Sequence, residues 1–194
     1  SPGTSGNVLT SNGTGWTSSA PTVTKIATVT ANNTSQYMSF TGISGYSRYL
    51  ITAINLVPAT TSNVGLEMGT GATPTWQTSG YNYTQTYAST STQTVTSLSN
   101  TVFILMTQTG MSDSTNTTGS YFNIWLGDLA STTQGKAAYI VGGYTTSAPI
   151  WRNMTVSGNW NNTTAVTALR LNASAGVNIC LLYTSDAADE GLGV

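Results

Sequence analysis

The sequence predicts an all-β protein: an antiparallel β-sandwich, jelly-roll-like, with about ten short strands. Three observations predict it. Charged residues make up 6% of the 194-residue chain, far below the quarter or so usual in globular domains, and Thr, Ser, Asn and Gly stand in their place. Glu, Lys and Arg, which fill surface helices, are nearly absent, while Thr, Val, Ile, Tyr and Trp, which suit a pleated half-buried surface, are plentiful. The apolar residues fall in short runs punctuated by Gly, Asn, Ser and Thr, and no segment holds a helical period. Hydrophobic content of 39% is enough for a core.

Residues 22–30 alternate Val23, Lys25, Ala27 and Val29 against Thr24, Ile26 and Thr28, the pattern of a strand. Residues 36–40 follow, with Met38 and Phe40 on one face. The strongest run is 48–58. Leu50, Ile54 and Leu56 share one face; Tyr49, Ile51, Ala53 and Val57 share the other. A strand apolar on both faces is expected in the centre of a sheet or under a partner, and Pro58, which cannot donate to a ladder, ends it. Residues 64–69 form a short strand and 69–76 a loop. Residues 81–87 place Tyr81, Tyr83, Gln85 and Tyr87 in alternation with polar neighbours. The Ser/Thr run 89–96 reads as a loop or edge strand, 102–107 as a buried run, and 110–119 as a loop. Residues 120–126 set Tyr121, Asn123 and Trp125 opposite Phe122, Ile124 and Leu126; Trp125, like Tyr49, is expected in the core. A strand at 136–142 stops at Gly142-Gly143. Another at 150–156 is followed by Gly158-Asn159-Trp160-Asn161-Asn162, a turn signal. Residues 165–171 close the series.

The first 21 residues have a different texture. Gly3-Thr4-Ser5-Gly6-Asn7-Val8-Leu9-Thr10-Ser11-Asn12-Gly13 leads through Trp16 to Pro21. Val8 and Leu9 are too few to make a core within one chain, so the segment can bury them only against copies of itself; the alternative is a flexible linker. The stretch resembles the short Gly/Ser/Thr/Asn repeat of bacteriophage tail-fibre shafts, which leads into a C-terminal receptor-binding domain. The run from Tyr49 to Pro58, followed by Trp76-Gln-Thr-Ser-Gly-Tyr81, is similar, more loosely, to C-terminal domains of such fibres. The resemblance implies an extended shaft stub at 1–21 and a receptor-binding sandwich at 22–179. It implies a place in the virion, a homo-oligomer with a trimer expected, and a bacterial surface glycan or outer-membrane protein as partner. Ser1 falls inside the repeat, so an upstream part is expected.

The other end has another texture again. Cys180-Leu-Leu-Tyr-Thr-Ser-Asp-Ala-Ala-Asp-Glu190 back-translates naturally to a DNA string resembling the transposase adapter of short-read sequencing libraries. Residues 180–194 are therefore expected to be a non-native tail, the alternative being a genuine acidic terminus. The tail holds Asp186, Asp189, Glu190 and the one cysteine, Cys180; without it five basic and three acidic residues remain, a net charge of +2 in place of −1. The apolar run 179–183 could pair in place of a natural last strand, whose loss would leave an open sheet edge.

Without histidine, Ser–His and Cys–His nucleophiles and His/Cys zinc sites drop out. Lys25, Arg48, Lys136, Arg152 and Arg170 are scattered singly, so no basic patch marks a nucleic-acid partner. No apolar run approaches the roughly 20 residues of a membrane span. The chain is not expected to be an enzyme, and no catalytic residue, metal or cofactor is assigned. Glu67, Asp113 and Asp128 are the carboxylates outside the tail. A glycan-degrading protein using Glu67 and Asp128 is the enzymatic alternative, because glycosidases work with two carboxylates; solvated or hydrogen-bonded acids are the plainer reading. Asp113-Ser-Thr-Asn116-Thr-Thr-Gly119 offers alternating oxygens but lacks the further acids of a calcium loop.

The aromatics carry the functional signal. Trp76, Tyr81, Tyr83, Tyr144, Trp151 and Trp160 fall in or beside predicted loops. Exposed rings stack on the apolar faces of sugars, and neighbouring amides bond the hydroxyls. Trp160, flanked by Asn159 and Asn161, is the first ligand-binding candidate, followed by Trp76, Tyr81 and Tyr83; for each the competing reading is core or interface packing. Three functions follow: a fibre tip that attaches to a host surface, a purely structural fibre-capping domain, and a glycanase. A sandwich fold by itself does not choose among them.

Overall fold

The computed structural model describes residues 8–11, 14–19, 25–46, 48–89, 91–108, 110–112 and 119–181. In chain order the strands are β1 (Val8–Ser11), β2 (Trp16–Ser19), β3 (Tyr37–Thr41), β4 (Arg48–Ile54) and β5 (Leu56–Pro58). There follow β6 (Val64–Thr70), β7 (Thr75–Trp76), β8 (Tyr81–Ala88), β9 (Gln93–Thr101) and β10 (Ile104–Leu105). The last are β11 (Tyr121–Gly127), β12 (Lys136–Thr145), β13 (Trp151–Trp160), β14 (Val166–Ala173) and β15 (Ile179–Leu181). A three-residue 3-10 turn, Ser174–Gly176, is the one helical element among the described residues.

All pairing is antiparallel. One sheet has six strands in the order β4-β11-β12-β13-β8-β9; the other runs β10-β6-β14-β3, with β7 beside β6. β1 pairs with β2 as a separate hairpin, and β15 pairs with β5. The two larger sheets form a sandwich around one core. Leu66, Met68, Leu169 and Leu171 enter it from the five-stranded sheet; Tyr81, Phe122, Ile124, Ile140 and Val156 enter from the six-stranded one. Every second residue of β6 and β11 points inward, the period-2 pattern of a strand with one buried face, and β14 follows it from Leu169 on, after a register shift between Val166 and Ala168.

The all-β expectation holds, and several elements differ in ways that have a physical cause. The expected strand at 22–30 is not a strand over 25–30, which carries no ladder; residues 22–24 lie outside the described residues. The run 48–58 is two strands in different ladders. Asn55 adopts a left-handed backbone (φ 53°) and its N–H donates to the Ser120 carbonyl, which turns the chain between β4 and β5. Asn tolerates that conformation better than other non-glycine residues. β4 itself is an edge strand, not a central one.

Gly142-Gly143 does not stop β12. Both glycines stay in the ladder because Phe122 and Trp151 occupy the space where their side chains would stand. Likewise the turn expected at 158–162 begins later. Gly158 pairs with Tyr83, whose Cβ leaves no room for a side chain, and β13 runs on to Trp160. The two-residue β7, β15, the β1–β2 hairpin and the division of 48–58 account for strands beyond the expected ten or so. Cys180, placed by sequence in the tail, is buried in β15 opposite Val57, so the pairing expected of 179–183 occurs over 179–181. Residues 182–194 lie outside the described residues.

Burial raises the phenol pKa of Tyr81, Tyr83 and Tyr144 above the ordinary value of 10. The neutral form is favoured in the fold, whereas an unfolded phenol ionises at about 10. The stability these groups contribute is therefore complete below that pH and is lost as pH rises past it. Thermal melts on either side of pH 10 should show the midpoint falling on the alkaline side. Phenolate absorbance should grow together with the loss of near-ultraviolet circular dichroism.

Candidate functional site: the outer face of the six-stranded sheet

The two outer faces of the sandwich differ. On the five-stranded sheet, Glu67, Arg170 and Asn172 alternate with the core residues of β6 and β14. Arg170 Nε donates to Glu67 Oε2 at 2.6 Å, and Asn172 Nδ2 donates to Glu67 Oε1. The guanidinium lies between the rings of Tyr37 (3.8 Å) and Trp76 (4.4 Å). The Phe103 ring fills the space over Gly65, and the Trp76 indole packs on Gly69. The chain thus covers this face with its own side chains.

Among the described residues, nothing comparable covers the six-stranded sheet. Alternation sends Leu50, Thr52 and Ile54 outward from β4, and Tyr121, Asn123 and Trp125 outward from β11. Register then sets them in rows. Leu50, Trp125 and Tyr139 are direct neighbours across β4, β11 and β12, with the Trp125 and Tyr139 rings 5.8 Å apart and tilted by 36°. In a second row Ile54 stands beside Tyr121, which stands beside Gly143; the Trp151 ring lies over that glycine. Tyr121, Trp125, Tyr139 and Trp151 are each between 42% and 46% exposed. Tyr121 and Trp125 are four residues apart on one strand, about 14 Å at the usual rise.

Polar groups lie between the rings and are oriented by one another. Thr52 Oγ1 donates to Asn123 Oδ1 at 3.0 Å, Asn123 Nδ2 donates to the Tyr121 hydroxyl, and Trp151 Nε1 donates to Asn153 Oδ1 at 3.1 Å. Arg48 is the one cation that β4, β11, β12 and β13 place on this side, and no carboxylate stands in their outward positions. Flat apolar rings interleaved with amides and hydroxyls, without charge, can stack on a sugar ring and bond its hydroxyls.

Apart from Asn159, the expected site residues lie elsewhere. Trp160 is only 2% exposed; its Nε1 donates to the Ser79 carbonyl at 3.1 Å and its ring lies 6.2 Å from that of Tyr81. Because β13 continues to Trp160, alternation sends its ring inward and Asn159 outward. Asn161, just past the strand, is exposed and bonds through its N–H to Gly80. The trio therefore does not converge. Tyr81 and Tyr83 are also core residues, with the Tyr81 hydroxyl accepting from the Met68 N–H at 2.7 Å. Trp76 lies on the opposite broad face. Tyr144 is buried, its hydroxyl accepting from the Gln108 N–H at 2.7 Å. Of the six aromatics singled out by sequence, Trp151 is the one in the exposed group. Trp125, expected in the core, is exposed; the signal that could have found it was Asn123, the single polar residue between two aromatics on that face of β11.

Glu67 and Asp128 are not brought together. Glu67 is buried against Arg170 on the five-stranded sheet, and Asp128 is exposed at the end of β11 on the other. The loop from Asp113 to residue 118 lies outside the described residues. Among those described, no three His, Cys, Asp or Glu residues group as metal ligands. Lys136 is buried, its ammonium donating to the carbonyls of Gln134 (2.9 Å) and Thr163 (3.4 Å), and burial lowers its pKa. It braces the loop before β12.

A cleft of about 760 Å3 opens at one side of the sandwich, between β3 and β4. Residues 25–31 form one wall, and Met38, Phe40, Ile51, Leu169 and Leu171 are among the apolar residues lining it. Comparison with family models, with curated proteins and with solved structures returns no match for this chain.

Proposed function

We propose that this chain is the tip domain of a bacteriophage tail fibre and attaches the virion to a bacterial surface by binding glycan on the outer face of its six-stranded sheet. The observation that carries the reading is the exposed, charge-poor group of Tyr121, Trp125, Tyr139 and Trp151 with Asn123 and Asn153 between them. The N-terminal repeat, which resembles fibre shafts, supports the place of the domain in a virion. The covered outer face of the other sheet supports the choice of face. Many copies on one particle gain avidity from effective concentration, so a shallow site of modest affinity is sufficient. The reading is of a binder: Glu67 is committed to Arg170, and Asp128 stands without a second carboxylate among the described residues.

The test is binding of the purified chain to bacteria and to an array of bacterial surface glycans. Trp125→Ala combined with Tyr139→Ala removes two stacking rings, each worth about 0.5–1.5 kcal/mol. Binding is expected to weaken about tenfold or more, with the unfolding midpoint little changed because both rings are outside the core. Binding equal to that of the unaltered chain would overturn the reading.

A further inference from the structure

The second feature lies at the edge of the same sheet. β4 pairs with β11 on one side only, so its other edge offers a row of backbone donors and acceptors. Such an edge pairs readily with another strand unless it is blunted, and β4 carries neither proline nor bulge. It is apolar on both faces, with Leu50 at 57% and Ile54 at 59% exposure, a pattern suited to a strand with neighbours on both sides.

Residues 25–31, Lys-Ile-Ala-Thr-Val-Thr-Ala, have the alternation and β-branched content of a strand, yet they make no backbone hydrogen bond among the described residues. They run without turn or bend. They and β4 line the same cleft, on both faces of β4. β4 is seven residues long, and so is this segment. The chain immediately after it is fastened elsewhere: the Gln36 carbonyl accepts from the N–H of Ala173 in β14 at 3.1 Å, and the Ser35 carbonyl from that of Ile179 in β15 at 2.8 Å. Facing sheets lie about 10 Å apart. The segment thus faces its own β4 across the cleft without pairing to it.

We propose that residues 25–31 of a second copy of this chain add to β4 as a seventh strand, each copy giving its segment and receiving another. The pairing is antiparallel. A parallel register would set Lys25 beside Arg48, and like charges opposite each other destabilise a strand pair; the antiparallel register places them at opposite ends. The added strand closes the open side of the sandwich over Met38, Phe40, Leu169 and Leu171. Main-chain bonds supply the affinity, as in other strand additions.

The test uses the whole chain with Cys180→Ser, in two versions of different mass. One carries Ala27→Cys; the other carries Leu50→Cys, Thr52→Cys or Ile54→Cys in turn. Mixed and oxidised, they should give a disulfide-linked product of summed mass for at least one pairing. Sedimentation of the unaltered chain should show an oligomer. Thr28→Pro, which removes a ladder donor, should weaken that association tenfold or more while leaving each copy folded. A monomer in sedimentation would overturn the proposal. So would crosslinking confined to single chains when both cysteines are placed in one copy, which would mean that the segment closes on its own β4. Glycan binding by the sheet face is measured separately, so the two readings fail independently.

Discussion

Trp160→Ala is expected to destabilise the protein by about 3–5 kcal/mol, the range for removing a large aromatic from a core. The indole is enclosed by the sandwich, its ring contacts Tyr81, and its Nε1 satisfies the Ser79 carbonyl. Truncation leaves a cavity and an orphaned acceptor together, and the second adds to the cost of the first. For a domain of this size the unfolding midpoint should fall by about 10 °C or more. Chemical denaturation of the variant beside Trp125→Ala gives the direct comparison, since the latter ring is exposed and should cost far less. Equal midpoints for the unaltered chain and Trp160→Ala would place the indole outside the core. Any loss of ligand binding in Trp160→Ala should track the loss of folded protein.

Glu67→Ala is the second large effect. The carboxylate is 3% exposed and the Arg170 side chain 11%, joined at 2.5 Å. Removing one partner of a buried pair leaves the other charge uncompensated, which costs about 3–5 kcal/mol. The cation would stay between Tyr37 and Trp76 with no anion beside it. Replacing both, Glu67→Leu with Arg170→Met, should recover most of the loss, because an apolar pair avoids the desolvation of two ions. A double-mutant cycle by denaturant unfolding measures the coupling. Additive single and double effects would show that the two side chains act separately.

Much of the fold was legible in the sequence where one face of a strand is buried and the other is not. β8, β11 and β14 are readable from alternation, and the low content of Glu, Lys and Arg argues against helices. What was not legible depended on neighbours distant in sequence. Gly158 looked like a turn residue, but Tyr83 on another strand makes it a ladder residue, and that moved Trp160 from the surface to the core. Arg48–Ile54 looked central because both its faces are apolar; that it stands at an edge is fixed by which strands lie beside it, which no local pattern records. Trp125 is expected in the core, and the fold exposes it. Its row partners Leu50 and Tyr139 come from two other strands, so the exposed group exists only once the register is set.

The rings that hold the sandwich together and the rings that face outward form separate sets. Trp160, Tyr81, Tyr144 and Phe122 pack the interior; Tyr121, Trp125, Tyr139 and Trp151 do not. Exchange at the four outward positions can rewrite what the surface touches without disturbing the scaffold beneath. If that face binds as proposed, a lineage carrying this module is free to drift from one target to the next by point substitution, with folding held constant throughout.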